Sequence, residues 1–93
     1  MPTHEESPEF WRDWRKLTSN QKDAFKLASR EFRQDLRTGR FRASLRVKGY
    51  RGSNGVFEMT FAADGRALWE YGNDAQPGDP HVRWLRIGTH DIF

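Results

Sequence analysis

Residues 56–71 read VFEMTFAADGRALWEY. Two runs of alternating apolar and polar residues, VFEMTF and RALWEY, flank a turn-forming AADGR, and the pattern predicts a β-hairpin. The loop length decides which side chains share a face. A two-residue Asp-Gly turn would pair Ala63 with Arg66 and set Phe61 opposite Leu68 and Met59 opposite Glu70, mixing apolar and charged positions. A three-residue loop, Ala63-Asp64-Gly65, pairs Ala62 with Arg66 and asks Gly65 for a left-handed backbone. Phe57, Met59 and Phe61 then lie with Ala67, Trp69 and Tyr71 on one apolar face. A single buried face specifies register strongly, so this pairing is the predicted one. The other face carries Glu58, Thr60, Arg66, Leu68 and Glu70, with Glu58 opposite Glu70.

Upstream of the hairpin, apolar residues recur at helical spacing. In SPEFWRDWRKL, Ser7 can cap, Pro8 suits the first helical position and Glu9 favours the positive helix end. Phe10, Trp14 and Leu17 share a face. TSNQ, residues 18–21, is a capping box. Phe25, Ala28, Phe32 and Leu36 follow at helical spacing, and Gly39 supplies the stop. These two helices predict an αα-hairpin. From residue 40 the period becomes two, and Phe41, Ala43, Leu45 and Val47 alternate with Arg40, Arg42, Ser44, Arg46 and Lys48. An extended run would point all these bases one way. GYRGSNG reads as a loop, and HVRWLRIG as a last strand after the polar GNDAQPGDP. His81, next to Pro80, reads as a loop residue.

Helices first and antiparallel strands after predict an α+β fold, with the helical hairpin packed on one face of a small antiparallel β-sheet. Ninety-three residues fit one domain, 1–93. The seven Phe, four Trp and two Tyr supply much of its core. No apolar run reaches the ~18 residues of a spanning helix, so no membrane partner is expected. MPTHEESPEF lacks the basic and apolar regions of a signal peptide, and there is no cysteine. The cytoplasm is therefore the expected compartment.

Charge is unevenly placed. The net charge is only +3. Between Leu36 and Phe57 there is no acid, but there are Arg37, Arg40, Arg42, Arg46, Lys48 and Arg51. Arginine presents a planar fork of donors suited to phosphate oxygens, so the strip reads as a nucleic-acid footprint or as a solvated basic surface. Three histidines and scattered acids show no ligand spacing, so neither a metal nor another cofactor is expected.

The open face of the hairpin carries chemistry. Two carboxylates as close as Glu58 and Glu70 repel unless a cation lies between them or one pKa rises, and Arg66 can provide that cation. The chain ends on RWLRIGTHDIF, residues 83–93, which sets His90 just past a strand. Carboxylate, guanidinium and imidazole together suffice for RNA cleavage without a metal. A base takes the 2′-hydroxyl proton, a cation stabilises the phosphorane, and an acid protonates the departing 5′-oxygen. The plainer alternatives are a cross-strand Glu58–Arg66 ion pair and a solvated tail at His90.

SPEFWRDWRKLTSNQKDAF, then LRVKGYRGSNGVFEMTFAADGRALWEY, then WLRIGTHDIF resembles the RelE/ParE superfamily of bacterial toxin–antitoxin toxins over nearly the whole chain. The likeness lies in the order of parts: a helical hairpin, a basic connection, a G-x-Y/F-E strand, a D-G-x-R hairpin and a closing strand before H-x-x-Y/F. It implies a small sheet with two helices on one face, a cognate antitoxin that covers the active face, and no metal. It also implies a choice of activity. Many members cut mRNA on the ribosome, whereas ParE-like members inhibit DNA gyrase without nuclease residues; a plain RNA-binding module is the third reading.

By position in the motif, Arg66 corresponds to the arginine that contacts the scissile phosphate, and Arg46 and Lys48 to the basic connection that holds RNA backbone. His90 falls where nuclease members carry a C-terminal basic or imidazole side chain. Glu58 occupies a position that is lysine in some members and acidic in others. Phe93 stands where many have tyrosine; lacking a hydroxyl, it can stack but not transfer a proton, which leaves the acid role to His90, as in YoeB-like members. The expected set is Glu58 as base, His90 as acid and Arg66 as phosphate clamp. Arg42, Arg46, Lys48, Arg51 and Phe93 are expected to hold RNA. The family's first strand precedes its helices, but MPTHEES shows no apolar alternation, so that strand is expected to be short or absent.

Overall fold

Two side-chain caps organise the first third of the chain. Ser7 Oγ accepts from Phe10 N at 3.1 Å and starts α1, Pro8–Trp14, with Pro8 in the first turn. Thr18 and Gln21 form a reciprocal capping box, at 2.8 and 3.2 Å, that starts α2, Ser19–Leu36. Gly39, at φ +72°, turns the chain away beyond α2. The computed structural model describes residues 2–73 and 78–89.

The strands are β1 (Thr3–Glu6), β2 (Lys48–Gly49), β3 (Val56–Thr60), β4 (Gly65–Tyr71) and β5 (His81–Thr89), in the order β1-β5-β4-β3-β2. The pairs β2–β3, β3–β4 and β4–β5 are antiparallel, but β1 runs parallel to β5, so the sheet is mixed and not antiparallel throughout. The first strand is present, at four residues. It needs no apolar alternation because cross-strand polar contacts hold it. Thr3 Oγ1 and His81 Nδ1 are 2.6 Å apart, and Glu5 lies 3.2 Å from His81 Nε2 and 3.3 Å from Arg83 Nε. His81 thus opens β5 and is not a loop residue.

The hairpin keeps its predicted apolar face with a different register. Phe57 faces Trp69, Met59 faces Ala67 and Thr60 faces Arg66, so the turn residues are Ala62-Ala63-Asp64 and not Ala63-Asp64-Gly65. The shift is two positions, which preserves the alternation. Gly65 is not left-handed. It is required by close approach, because a Cβ there would stand 2.5 Å from the Phe61 ring, itself held edge-on to Phe25 at 5.6 Å. Gly65→Ala is expected to cost about 1–3 kcal/mol of stability by overpacking. A urea titration checks this, and an unchanged midpoint would refute it.

The core is aromatic. Phe25, Ala28, Phe32 and Leu36 of α2 are buried over the inner sheet face. Phe32 meets Trp69 and Trp84 at 4.9 and 5.1 Å, and Phe41 stacks on Phe32 at 5.2 Å. Such offset and edge-on pairs add to the burial of ring area. The β5 strand keeps Val82, Trp84 and Ile87 on this face by a bulge: Leu68 pairs with Arg86 and Trp69 with Trp84, leaving Leu85 without a partner.

The two helices do not share the sheet equally. Seven-residue α1 packs mainly on β5, sending Phe10 into the core. It also closes the edge of β5 where β1 stops. Ser7 N donates to Trp84 O at 2.9 Å, Ser7 Oγ to Leu85 O at 2.8 Å, and Ile87 N to Asp13 Oδ2 at 3.2 Å. Backbone groups of β5 beyond the end of β1 are thus satisfied by the N-cap of α1 and by the Asp13 side chain.

The predicted strand over 40–48 is mostly absent. Ala43–Leu45 form a 3-10 turn, Arg46 is left-handed at φ 47°, and only Lys48–Gly49 pair with β3. Phe41, Leu45 and Val47 still join or flank the core. Arg42 explains the departure. Its backbone N and Nε both donate to Asp35 Oδ2 at 2.8 Å, Nη2 to Asp35 Oδ1 at 2.9 Å, and Nη1 to Glu31 Oε2 at 3.0 Å. This fork folds the segment against α2.

Arg42 holds the Asp35 carboxyl down to about 2 through side-chain and then backbone hydrogen bonds. A carboxyl lowered on folding stabilises above its ordinary value of 3.8, and that contribution fades as pH falls from 3.8 towards 2. Asp35→Asn is therefore expected to melt below the wild type at pH 5, with the difference shrinking by pH 2. Thermal melts across that range check it; a pH-independent gap would contradict it.

Candidate nucleic-acid interface

The face of the sheet away from α2 is built in cross-strand rows. Lys48, Glu58, Leu68 and Arg86 lie side by side across β2, β3, β4 and β5. Thr60, Arg66 and Gly88 form the next row towards the β3–β4 turn, and Val56, Glu70 and Arg83 the row on the other side. Alternation along β3 and β4 puts Glu58 and Arg66 on one surface, as the sequence predicted.

The register change alters their partners. Glu58 faces Leu68, and Glu70 faces Val56, so the expected pair of opposed carboxylates does not form. Each has its own cation. Lys48 Nζ is 3.4 Å from Glu58 Oε1, and Arg83 Nη1 donates to Glu70 Oε2 at 2.9 Å. Arg86 is held by buried Asp13, with Nε and Nη2 donating at 2.6 and 3.1 Å. That hydrogen bonding raises the Arg86 pKa above its ordinary value, so the side chain stays charged.

Arg66 differs. Its Nη1 lies over the carbonyls of Ala62, Ala63 and Gly65 at 3.3, 3.4 and 2.9 Å, and it forms no ion pair among the described residues. The Glu58–Arg66 ion pair, the plainer alternative read from the sequence, is not made; they are diagonal neighbours. Arg66 also borders an open groove of about 330 Å³, lined by Ser44, Arg46 and Thr60 with Glu31 on the helix side. Arg46 is exposed there, in a conformation uncommon for a residue with a Cβ. Lys48 and Arg51 are exposed on β2 and the following loop. Arg42, by contrast, is committed to α2, and its donors are used within the fold.

His90 and Phe93 lie outside the described residues. Thr89, which precedes His90, pairs with Gly65, the neighbour of Arg66. Sequence reading missed Asp13 and Arg86, because 73 residues separate them and nothing local links them. It also missed Ser44 and Thr60 as groove residues. The signal for Thr60 was present, since it alternates with Glu58 on β3. Among the described residues no group of three His, Asp or Glu is placed to hold a metal ion. No helix there is long and apolar enough to cross a membrane.

Solved structures share this arrangement of a five-stranded mixed sheet with one long helix across its inner face. No family model and no curated protein sequence matches the chain. Three solved structures make the fold assignment specific. The E. coli DinJ-YafQ toxin-antitoxin complex matches at TM-score 0.72 and 20% identity, over 99% of this chain and 96% of that chain. A YoeB/ParE toxin from Agrobacterium tumefaciens matches at 0.68 and 13%, over 95% and 98%. The RelB-RelE antitoxin-toxin complex from Methanococcus jannaschii matches at 0.62 and 10%, over 94% and 91%. At these identities the likeness is one of fold.

Proposed function

We propose that this chain is the toxin of a toxin–antitoxin pair and an endoribonuclease that cuts mRNA on the translating ribosome in the cytoplasm. The observation that carries this reading is Arg66. It is a guanidinium with no carboxylate partner among the described residues, on a sheet face where Glu58, Glu70 and Arg86 are all paired. A cation already neutralised by a carboxylate stabilises a phosphorane poorly, whereas an unpaired, partly held one is positioned for it.

In this scheme Glu58 removes the 2′-hydroxyl proton, shifting its hold on Lys48. The 2′-oxygen attacks phosphorus, Arg66 binds the non-bridging oxygens, and His90 protonates the departing 5′-oxygen. The products are a 2′,3′-cyclic phosphate and a free 5′-hydroxyl. Arg46, Lys48 and Arg51 hold the RNA backbone and Phe93 stacks on a base, while Arg42 belongs to the fold. An antitoxin, the kind of partner present in the two complexes of similar fold, is the expected partner, and on this reading it would cover this face. The residues named supply base, cation and acid without a metal.

The second reading, a ParE-like gyrase inhibitor, draws on the fold shared with the YoeB/ParE toxin. An mRNA-cleavage assay on translating ribosomes, run beside a gyrase supercoiling assay, separates the two. Cleavage with unaffected supercoiling is expected; the reverse would reject the nuclease.

A further inference from the structure

The long helix is electrostatically divided. Its buried residues, Phe25, Ala28, Phe32 and Leu36, mark the face towards the sheet. On one flank Glu31 and Asp35 are neutralised by Arg42. On the other, Lys26, Arg30, Arg33 and Arg37 follow at i, i+4, i+7 and i+11. At about 100° per residue these four fall in one stripe, roughly 16 Å long at 1.5 Å per residue. All four are exposed, and among the described residues none forms an ion pair. Arg30, Arg33 and Arg37, with Gln34 and Pro2, line an open concavity on the β1 side of the molecule. Glu58 and Arg66 sit on β3 and β4, on the face that α2 does not cover.

We propose that this stripe is a second polyanion site that docks the phosphate backbone of an RNA duplex, separate from the face that performs chemistry. Four cations in a row, three on α2 and Arg37 at its C-cap, with no ion pair among the described residues, fit a line of phosphates. Leu27, exposed three residues before Arg30, is the large apolar side chain that borders the stripe, and no exposed aromatic side chain joins it among the described residues. The row is therefore read chiefly by charge, which argues for a nucleic-acid backbone over an acidic polypeptide. Arginine at three of the four positions adds forked donors for phosphate oxygens. Naming the polyanion as RNA rests on the proposed function; the docking role does not depend on cleavage. The two surfaces would let the protein hold a structured RNA by α2 while the sheet works on a single strand.

The test is an Arg30→Gln/Arg33→Gln/Arg37→Gln variant, compared with the wild type and with Arg66→Ala. Binding to a short RNA duplex, to the DNA duplex of the same sequence and to polyglutamate is measured over a range of salt. The triple variant is expected to bind the RNA duplex at least about tenfold more weakly near 0.1 M salt, with the salt slope reduced by about 2. Arg66→Ala should keep most of that affinity and slope. Unchanged RNA affinity and slope in the triple variant would overturn the proposal. So would a loss seen only with polyglutamate, or stripe-dependent binding that favours DNA. If stripe-dependent duplex binding persists in a protein that cleaves no mRNA, the proposed chemistry fails and the docking site stands.

Discussion

Arg66→Ala is expected to lower mRNA cleavage by at least about 100-fold, the scale on which losing one preorganised group that stabilises transition-state charge is felt. Growth arrest on expression should fall with it. The cost in stability should be small, about 1 kcal/mol, because the side chain gives up only its contacts with the carbonyls of the β3–β4 turn. Arg66→Lys should recover part of the activity, keeping a charge but losing the fork. Primer extension on translated mRNA measures the chemistry and a thermal melt measures the fold. A folded Arg66→Ala protein that cleaves at the wild-type rate would reject Arg66 as the clamp.

The largest expected change in stability comes from Asp13→Ala. This carboxylate is buried at 7% exposure and accepts from Arg86 twice and from Ile87 N once. The Arg86 side chain is about 40% exposed, so solvent screens the ion-pair part. The backbone N–H of Ile87 gets no such relief, because α1 covers that stretch of β5. Leaving it unpaired, with Arg86 also released, is expected to cost about 2–3 kcal/mol. For a chain of this size that corresponds to a fall in Tm of roughly 10–20 °C. Asp13→Asn keeps an acceptor for Ile87 N and should lie between the two. A Tm for Asp13→Ala within a few degrees of the wild type would show that α1 does not seal the edge in this way.

What could be read in advance follows the range of each interaction. Helix starts depend on residues three apart, and both caps at Ser7 and Thr18 form as predicted. The apolar side of the hairpin depends on alternation alone, so it survived a turn placed one residue too late. The observed turn sets the Phe61 ring against Gly65, a close approach that the alternation of apolar residues does not encode. The strand expected over 40–48 had the right alternation, but Arg42 lies within reach of Asp35 and Glu31, and their hydrogen bonds outweigh a ladder at the sheet edge. The first strand was hard to see for the opposite reason, since an edge held by Thr3, Glu5 and His81 needs no apolar residues. For the site, Glu58 and Arg66 were correctly placed on one surface, while the pairing of every carboxylate there depended on the register.

The placement of β5 constrains how the chain assembles. Among the described residues it is the last strand along the chain, yet it sits between β1 and β4 and supplies Val82, Trp84 and Ile87 to the interior. Its partner β1 lies 78 positions earlier at the Thr3–His81 pair. Loop closure of that length must precede its reward, so the contact order is high and folding is slowed relative to a helical protein of equal size. During synthesis, β1 and the outer edge of β4 remain unpaired templates until residues 81–89 are made. Nascent or truncated chains that stop short of them should be prone to edge-to-edge association.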